Sequence, residues 1–99
     1  MSSLSSIASS GLAAAQLRLG ASAGNVANLN TPGYRAQRVA QQAAPEGGVT
    51  TSLQRAPAQG VSLETEVVDQ LAAKQAFLAN VQTLRTGDAV LGALLDIRA

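Results

Sequence analysis

Cysteine, histidine and tryptophan are absent from this chain of 99 residues, and its only aromatic residues are Tyr34 and Phe77. Without cysteine there is no disulfide framework and no thiol chemistry. Without histidine the commonest general base and the commonest metal ligand are both missing. The carboxylates stand at spacings typical of solvated helix faces, and the hydroxyl groups have no evident base partner. We therefore expect no catalytic residue, no metal site, no cofactor and no small-molecule substrate.

Neither sign of charge is in large excess, because the formal net charge is +1. This balance gives no argument for binding nucleic acid or an anionic membrane. The charges are unevenly placed along the sequence. In residues 1–60 the only acidic residue beside the arginines is Glu46, whereas carboxylates outnumber cations in residues 61–99. Complementary halves could steer helix pairing within the chain or head-to-tail association between copies. An equally good interpretation is that these are ordinary solvated charges.

A long hydrophobic run is also missing. Serines interrupt the apolar residues at the start of the chain, and no Lys or Arg precedes Arg18. A secretory signal needs a basic start and a continuous apolar stretch, and a membrane span needs about 20 predominantly apolar residues. We expect neither a secretory signal nor membrane insertion, so export from the cytoplasm would need another route.

Alanine is the commonest of the hydrophobic residues, which make up 46% of the chain. A fully buried large apolar side chain contributes roughly 1.5–3 kcal/mol, so an alanine-rich chain with few aromatic residues builds a thin core. Alanine, leucine and glutamine favour helices. We expect small-residue helices that need neighbours, which could be other copies of the chain.

Helical periodicity predicts a first helix within residues 1–28, where apolar residues recur at spacings of three and four. Gly11, Gly20 and Gly24 each weaken an isolated helix by roughly 1 kcal/mol relative to Ala, although they could let another helix approach closely. The side chains expected to pack against the other end of the chain are Leu4, Leu12, Leu19 and Val26.

A longer helix is predicted within residues 62–99, with Ser62 as its N-cap and with Glu64 and Glu66 complementing the helix dipole. About 35 residues at 1.5 Å each give roughly 50 Å, a length that favours a coiled coil or a helical assembly. Gly87 interrupts the pattern and could mark a bend. The side chains expected to face the first helix are Leu71, Leu78, Val81 and Leu91.

Residues 29–61 form the predicted connector, which holds all three prolines. Pro32-Gly33 indicates a turn in which the glycine has a positive φ. Residues 34–40 and 49–54 could be extended, so we expect at most a small hairpin. The predicted fold class is all-α: two long antiparallel terminal helices form a coiled-coil-like hairpin in one structural unit, joined by a short loop or a small β-hairpin.

The most informative stretch is rich in asparagine and covers residues 24–35. Asn25 and Asn28 are three positions apart, so both side chains project from one face near the helix end. Such amides can tie down the last carbonyl groups or bond an adjacent chain. From physical reasoning alone, a plain helix stop followed by a turn is the simpler interpretation. The candidate assembly residues are Asn25, Asn28, Asn30, Thr31, Pro32, Gly33 and Tyr34.

This stretch closely resembles the N-terminal signature of the flagellar axial proteins (rod, hook and hook-associated proteins), written roughly Asn-Ile-Ala-Asn-x-Asn-Thr-Pro-Gly-Tyr-Lys. Residues 66–95 are similar to the family's C-terminal helix, although Phe77 stands where tyrosine is usual and Leu78 where glutamine is usual. Hook and distal-rod relatives carry a β-rich domain between their helices. With only residues 29–61 there, this chain resembles a short, proximal-rod-like member.

The resemblance implies a structural subunit of the bacterial flagellar basal body rod, exported by the flagellar type III apparatus and assembled helically through its N- and C-terminal helices. It implies partners among other rod and hook proteins, copies of the same chain and the export apparatus, and a location in the periplasmic rod. A small accessory or adaptor protein that binds axial proteins without polymerising stays an alternative. A membrane-surface helix pair is a weaker one, since the polar faces carry few Lys or Arg.

Overall fold

Two long helices and a two-stranded hairpin make up the structure, a computed structural model that describes residues 4–98 and the side chains of residues 4–96. Helix α1 spans Leu4–Ala27, strand β1 Gln37–Ala43, strand β2 Val49–Arg55 and helix α2 Leu63–Arg98. Residues 1–3 and 99, which the predicted helical segments include, lie outside the described residues.

The all-α prediction is wrong, because β1 and β2 pair along their full length as an antiparallel hairpin between the helices. Part of the reason is local. Val49, Thr50 and Thr51 begin β2, and their β-branched side chains favour a strand over a helix. Gly47 and Gly48 close the turn with φ angles of 97° and 83°, a conformation that strains other residues. The chain is therefore a helix, a hairpin and a helix in sequence.

The hairpin lies along α1 and is held at both of its ends. At the turn, the Val49 N–H donates to Ser10 Oγ at 3.0 Å. At the other end, the Gln37 N–H donates to Asn25 Oδ1 at 2.8 Å. A strand of seven residues spans about 23 Å, and positions 10 and 25 of α1 are about 22 Å apart along the helix axis. Because these lengths match, the hairpin can be fastened to α1 at two points.

The two helices pack antiparallel along a seam of mostly small and polar residues. A Cβ atom at Gly11 would lie 2.6 Å from Asn80 Oδ1, and one at Gly87 would lie 2.8 Å from Leu4 Cδ2. On α2, buried or half-buried residues recur at spacings of four and three, namely Glu66, Gln70, Ala73, Phe77, Asn80, Leu84 and Gly87. A corresponding row on α1 comprises Ala8, Gly11, Ala15, Arg18, Ser22 and Asn25.

Large apolar side chains lie mainly outside this seam. Leu71 and Leu78 each follow a seam residue by one position, which turns them about 100° away from α1, and they are 58% and 48% exposed. The hydrophobic residues that the described chain buries are all alanines: Ala8, Ala14, Ala15, Ala21, Ala36 and Ala73. The core is thin, as the composition predicts. Within residues 4–98, no helix is long and apolar enough to cross a membrane.

Replacing Ala73 by Leu tests the seam. Ala73 is fully buried, so the larger side chain has no space and should lower the free energy of unfolding by about 1–3 kcal/mol. Ala72→Leu is the matched control on the exposed face of the same helix, and it should change this free energy by less than about 0.5 kcal/mol. Urea unfolding followed by circular dichroism measures both. Equal losses would show that the helices do not meet through Ala73.

Candidate functional site

Asn25 lies where α1, β1 and α2 meet, and it is fully buried. Its Nδ2 donates to the Gln37 carbonyl oxygen and to Glu66 Oε1, each at 3.0 Å. Its Oδ1 accepts from the Gln37 N–H at 2.8 Å and from the Tyr34 hydroxyl at 3.1 Å. A side-chain amide has two N–H donors and two lone pairs, so Asn25 uses its full hydrogen-bonding capacity.

Asn25 binds β1 in the way a neighbouring strand would. The Ala56 N–H donates to the Ala36 carbonyl across the hairpin at 2.8 Å. Since hydrogen-bonded and non-hydrogen-bonded pairs alternate in an antiparallel ladder, the backbone groups of Gln37 point away from β2. The Asn25 amide pairs with both of them. It therefore fixes the place where the hairpin begins relative to α1.

Glu66 completes this group from α2, and it is also fully buried. Its Oε2 accepts from Arg38 Nη1 at 2.9 Å, while Oε1 accepts from Asn25. Ser22 Oγ donates to the Glu66 backbone carbonyl at 3.2 Å and accepts from Gln70 Nε2 at 3.1 Å. Among the described residues, no buried side-chain nitrogen or oxygen lacks a hydrogen bond. We call the group the Asn25 cluster; its members are Ser22, Asn25, Tyr34, Gln37, Arg38 and Glu66.

The electrostatics of the cluster favour a charged Glu66. Burial acts to raise the pKa of this carboxyl group, because it removes the carboxylate from water. Side-chain hydrogen bonds from Asn25 and Arg38, together with the positive charge of Arg38, oppose that effect and outweigh it. The pKa of Glu66 consequently lies below its ordinary value of 4.5. At neutral pH the carboxylate joins β1, through Arg38, to α1, through Asn25.

The rest of the predicted motif ends α1 and turns the chain. Asn28 Nδ2 donates to the Gly24 carbonyl at 2.9 Å, in addition to the Asn28 backbone N–H, which donates to the same carbonyl at 3.1 Å. Thr31 Oγ1 donates to Asn28 Oδ1 at 3.1 Å. Gly33 has a φ of 75°, which confirms the predicted turn. Among the seven motif residues, Asn25 and Tyr34 reach the cluster, and four are exposed: Asn30, Thr31, Pro32 and Gly33.

The predicted helix-packing residues do not form one buried seam in this chain. Leu4 and Leu91 line the same apolar cleft of about 660 Å³, between the start of α1 and α2. Four are half-buried: Leu12, Leu19, Val26 and Val81. The other four are exposed: Leu4, Leu71, Leu78 and Leu91. Their mutual packing stays a prediction.

The sequence pattern does not single out Ser22, Arg38 or Glu66, although all three belong to the cluster. A carboxylate in the first turn of a helix ordinarily complements the helix dipole at the surface, which is the interpretation that the sequence favours for Glu66. The available signal was spacing, because Glu66 begins the repeat of four and three that continues through Ala73 to Gly87. Nothing local marks Arg38 as its partner.

The chemistry of the Asn25 cluster is that of a structural joint. Its carboxylate is occupied by a guanidinium and an amide. Throughout the described part of the chain, no group of three or more acidic residues could hold a metal ion. A polar cleft of about 400 Å³ opens beside the cluster, and Arg18 and Asp69 are among its lining residues.

Asn25→Asp tests the joint with a change of a single functional group. The aspartate keeps the size of the side chain, loses both donors and places a second carboxylate next to Glu66, whose Oε1 is 3.0 Å from Asn25 Nδ2. Breaking a buried charged network in this way should cost about 3–5 kcal/mol in the free energy of unfolding at neutral pH. The exposed Asn30→Asp is the matched control and should cost less than about 0.5 kcal/mol.

A double variant tests whether that loss of stability comes from the missing hydrogen-bond donor between positions 25 and 66. Adding Glu66→Gln to Asn25→Asp restores a donor between the two positions, and we expect part of the lost stability to return. Urea unfolding of the single and double variants measures this. An Asn25→Asp chain as stable as wild type would contradict the role given to the amide.

The lowered pKa of Glu66 predicts acid sensitivity. In the unfolded chain the pKa of this group is its ordinary 4.5, so its contribution to stability is fully present above about pH 4.5 and is lost as the pH falls through the lower pKa of the folded state. Glu66→Gln should be less stable at neutral pH and should lose stability less steeply in acid. Thermal melts over this range measure the slope. Glu64→Gln, at an exposed position, should keep the wild-type slope; equal slopes for all three proteins would contradict the prediction.

Comparison with known families agrees with the N-terminal part of this picture. Residues 6–35 match the family model described as "Flagella basal body rod protein". The matched range contains most of α1 and the motif through Tyr34. No curated protein matches the chain at a significant level. That family is a structural component of the flagellar basal body and not an enzyme family. The match confirms the resemblance seen in the sequence: over residues 6–35 the chain is similar to the flagellar basal body rod proteins.

Proposed function

We propose that the chain is a structural subunit of the flagellar rod and that it assembles helically through its terminal helices. The observation that carries the proposal is the end of α2. Leu4 lies against Gly87, so residues 88–98 extend about 16 Å beyond that level at 1.5 Å per residue. We call these residues the overhang. Up to residue 96, where the described side chains end, its large apolar side chains are 52–66% exposed: Val90, Leu91, Leu94 and Leu95.

The overhang continues the face that α2 turns toward α1. The seam repeat of four and three passes from Leu84 and Gly87 to Leu91 and Leu94. These two leucines therefore lie on the packing face but beyond the described start of α1. Exposed apolar side chains grouped in this way mark an interaction surface. A helix of another subunit can pack on them, gaining roughly 1.5–3 kcal/mol for each leucine that becomes fully buried.

The thin core supports the same proposal. Burying alanines releases much less free energy than burying leucines, and the chain keeps Leu71 and Leu78 on an exposed face. The molecule is also elongated, with extents of 64 × 25 × 14 Å. Side-by-side packing of several such elongated molecules would cover the leucine face and bury the apolar surface that a single chain leaves exposed. The expected partners are copies of the chain and other rod and hook proteins.

The same features support a proposal for export and location. A chain with no cysteine and a core made of alanines can cross a narrow export channel unfolded and become ordered by contact with its neighbours. We propose that the flagellar type III apparatus exports the chain and that it functions in the periplasmic part of the basal body.

Replacing both Leu91 and Leu94 by Gln tests the role of the overhang. Both side chains are exposed, so the free energy of unfolding of the isolated chain should change by less than about 1 kcal/mol. Incorporation into basal bodies should nevertheless be lost, because the packing face is no longer apolar. Immunoblots of purified basal bodies and swimming in soft agar measure this. Asp96→Asn is the matched control in the overhang and should incorporate normally.

Two outcomes would count against the proposal. Wild-type levels of the Leu91→Gln, Leu94→Gln chain in basal bodies would show that the overhang is not an assembly surface. Complete rods in a strain that lacks the gene would favour an adaptor that binds axial proteins without polymerising.

A further inference from the structure

Most of the charged side chains within residues 4–96 have no oppositely charged partner among the described residues. Among the side chains of residues 4–96, the ion pairs are those that Arg38 makes with Glu66, at 2.9 Å, and with Asp69, at 3.9 Å. Arg35 and Arg55, at the base of the hairpin, are exposed and belong to neither pair. Glu46, in the hairpin turn, is likewise exposed. Only a few of the unevenly distributed charges are thus paired within one chain.

Arg35 and Arg55 form an ordered basic surface at the base of the hairpin. Arg35 Nε donates to the Ala56 carbonyl at 2.6 Å, and Arg55 Nη1 donates to the Arg35 carbonyl at 2.9 Å. The guanidinium carbon of Arg55 lies 5.4 Å from the centre of the Tyr34 ring, in a cation–π contact. A guanidinium has five N–H donors, so each arginine keeps donors for a carboxylate after making these bonds.

Tyr34 connects this surface to the Asn25 cluster. Its hydroxyl donates to Asn25 Oδ1 at 3.1 Å, while its ring lies beneath Arg55. The basic surface is therefore held in place by the same joint that holds the helices and the hairpin. A ligand carboxylate would meet guanidinium groups that are already positioned, which reduces the entropy lost on binding.

The hairpin turn presents a carboxylate at the opposite end. The Gly47 N–H donates to the Ala44 carbonyl at 3.0 Å, and the turn is also tied to α1 because the Val49 N–H donates to Ser10 Oγ. Glu46 thus stands at a defined point. The strands separate it from the hairpin base by about 23 Å, so Glu46 cannot reach Arg35 or Arg55 of its own chain.

We propose that the Arg35 and Arg55 surface of one copy binds the Glu46 turn of a second copy, so that the hairpins of successive copies stack turn to base. This rests on the proposed function, since it concerns contacts between assembled subunits. The two surfaces differ, so the contact is heterologous and produces an open, directional series of copies. Exposed ion pairs are individually weak. The contact accordingly sets direction and register, while helix packing supplies the affinity.

Cross-linking tests the proposal cleanly, because the chain has no cysteine of its own. One full-length chain carries Pro45→Cys beside Glu46, and another carries Ala58→Cys in the exposed loop after β2, so that every charge is kept. The two are mixed at high concentration, with a mass tag on one, and are oxidised. We expect a disulfide between the two different variants and little between identical ones. Disulfides mainly between two chains that both carry Pro45→Cys, or none above the background of unpaired controls, would overturn the proposal.

Charge reversal then asks whether these ionic groups hold the contact. Glu46→Lys or Arg35→Glu should each lower the cross-linking yield by about fivefold, the upper end for an exposed pair, and combining both should restore much of it. Arg85→Glu, at an exposed position on α2, is the control and should leave the yield unchanged. An unchanged yield in Glu46→Lys, whose exposed position allows it to fold normally, would overturn the proposal.

The same variants in basal bodies separate this proposal from the proposed function. A chain that incorporates but does not cross-link from turn to base contradicts the hairpin contact and leaves the rod function standing. A chain that cross-links in solution but never appears in basal bodies contradicts the rod function instead.

Discussion

The side-chain amide of Asn25 carries the arrangement of this small protein, because it is bonded at once to β1, to α2 and to the tyrosine that ends its own motif. The fully buried hydrophobic residues of the described chain are all alanines, and hydrophobic burial is non-directional, so it does not fix how a hairpin sits on a helix. Hydrogen bonds are directional, and a buried amide is costly when even one of its partners is missing. One orientation of the hairpin satisfies all of them.

Glu66 extends the same constraint to the second helix. Its carboxylate needs both Arg38 from β1 and Asn25 from α1 to offset the cost of burial. The three elements are therefore interdependent: if the hairpin shifts, Glu66 loses its cation, and if α2 shifts, Asn25 loses an acceptor. Tyr34 links Arg55 to the same cluster, because its hydroxyl donates to Asn25 and its ring contacts the Arg55 guanidinium. A motif that reads as a helix stop in the sequence is, in three dimensions, the point that orders the chain.

How much of this could be predicted from the sequence differs from element to element. The helices follow from periodicity, and the predicted cap at Ser62 is present, since its Oγ accepts from the Thr65 N–H at 3.4 Å. The hairpin is different, because a short β-branched run does not by itself determine whether a strand forms. The strand also needs α1 as a surface to pack on. The prediction of an all-α fold fails for that reason. Periodicity also indicates an apolar face without saying whether that face packs within one chain. Here small residues such as Ala73 face α1, and Leu71 and Leu78 face outward.

The site was predictable only in part for a related reason. Asn25 is conspicuous within its motif, but Arg38 and Glu66 become its partners only when residues far apart in sequence meet. Amide hydrogen exchange of the Gln37 N–H measures whether the Asn25 amide holds β1 against α1. In the hairpin ladder the N–H groups of Gln37, Val39 and Gln41 all point away from β2, and Asn25 accepts a bond from Gln37. If Asn25 holds β1 in this way, the Gln37 N–H exchanges as slowly as that of buried Ala73, while those of Val39 and Gln41 exchange fast. Equally fast exchange at all three positions would contradict it.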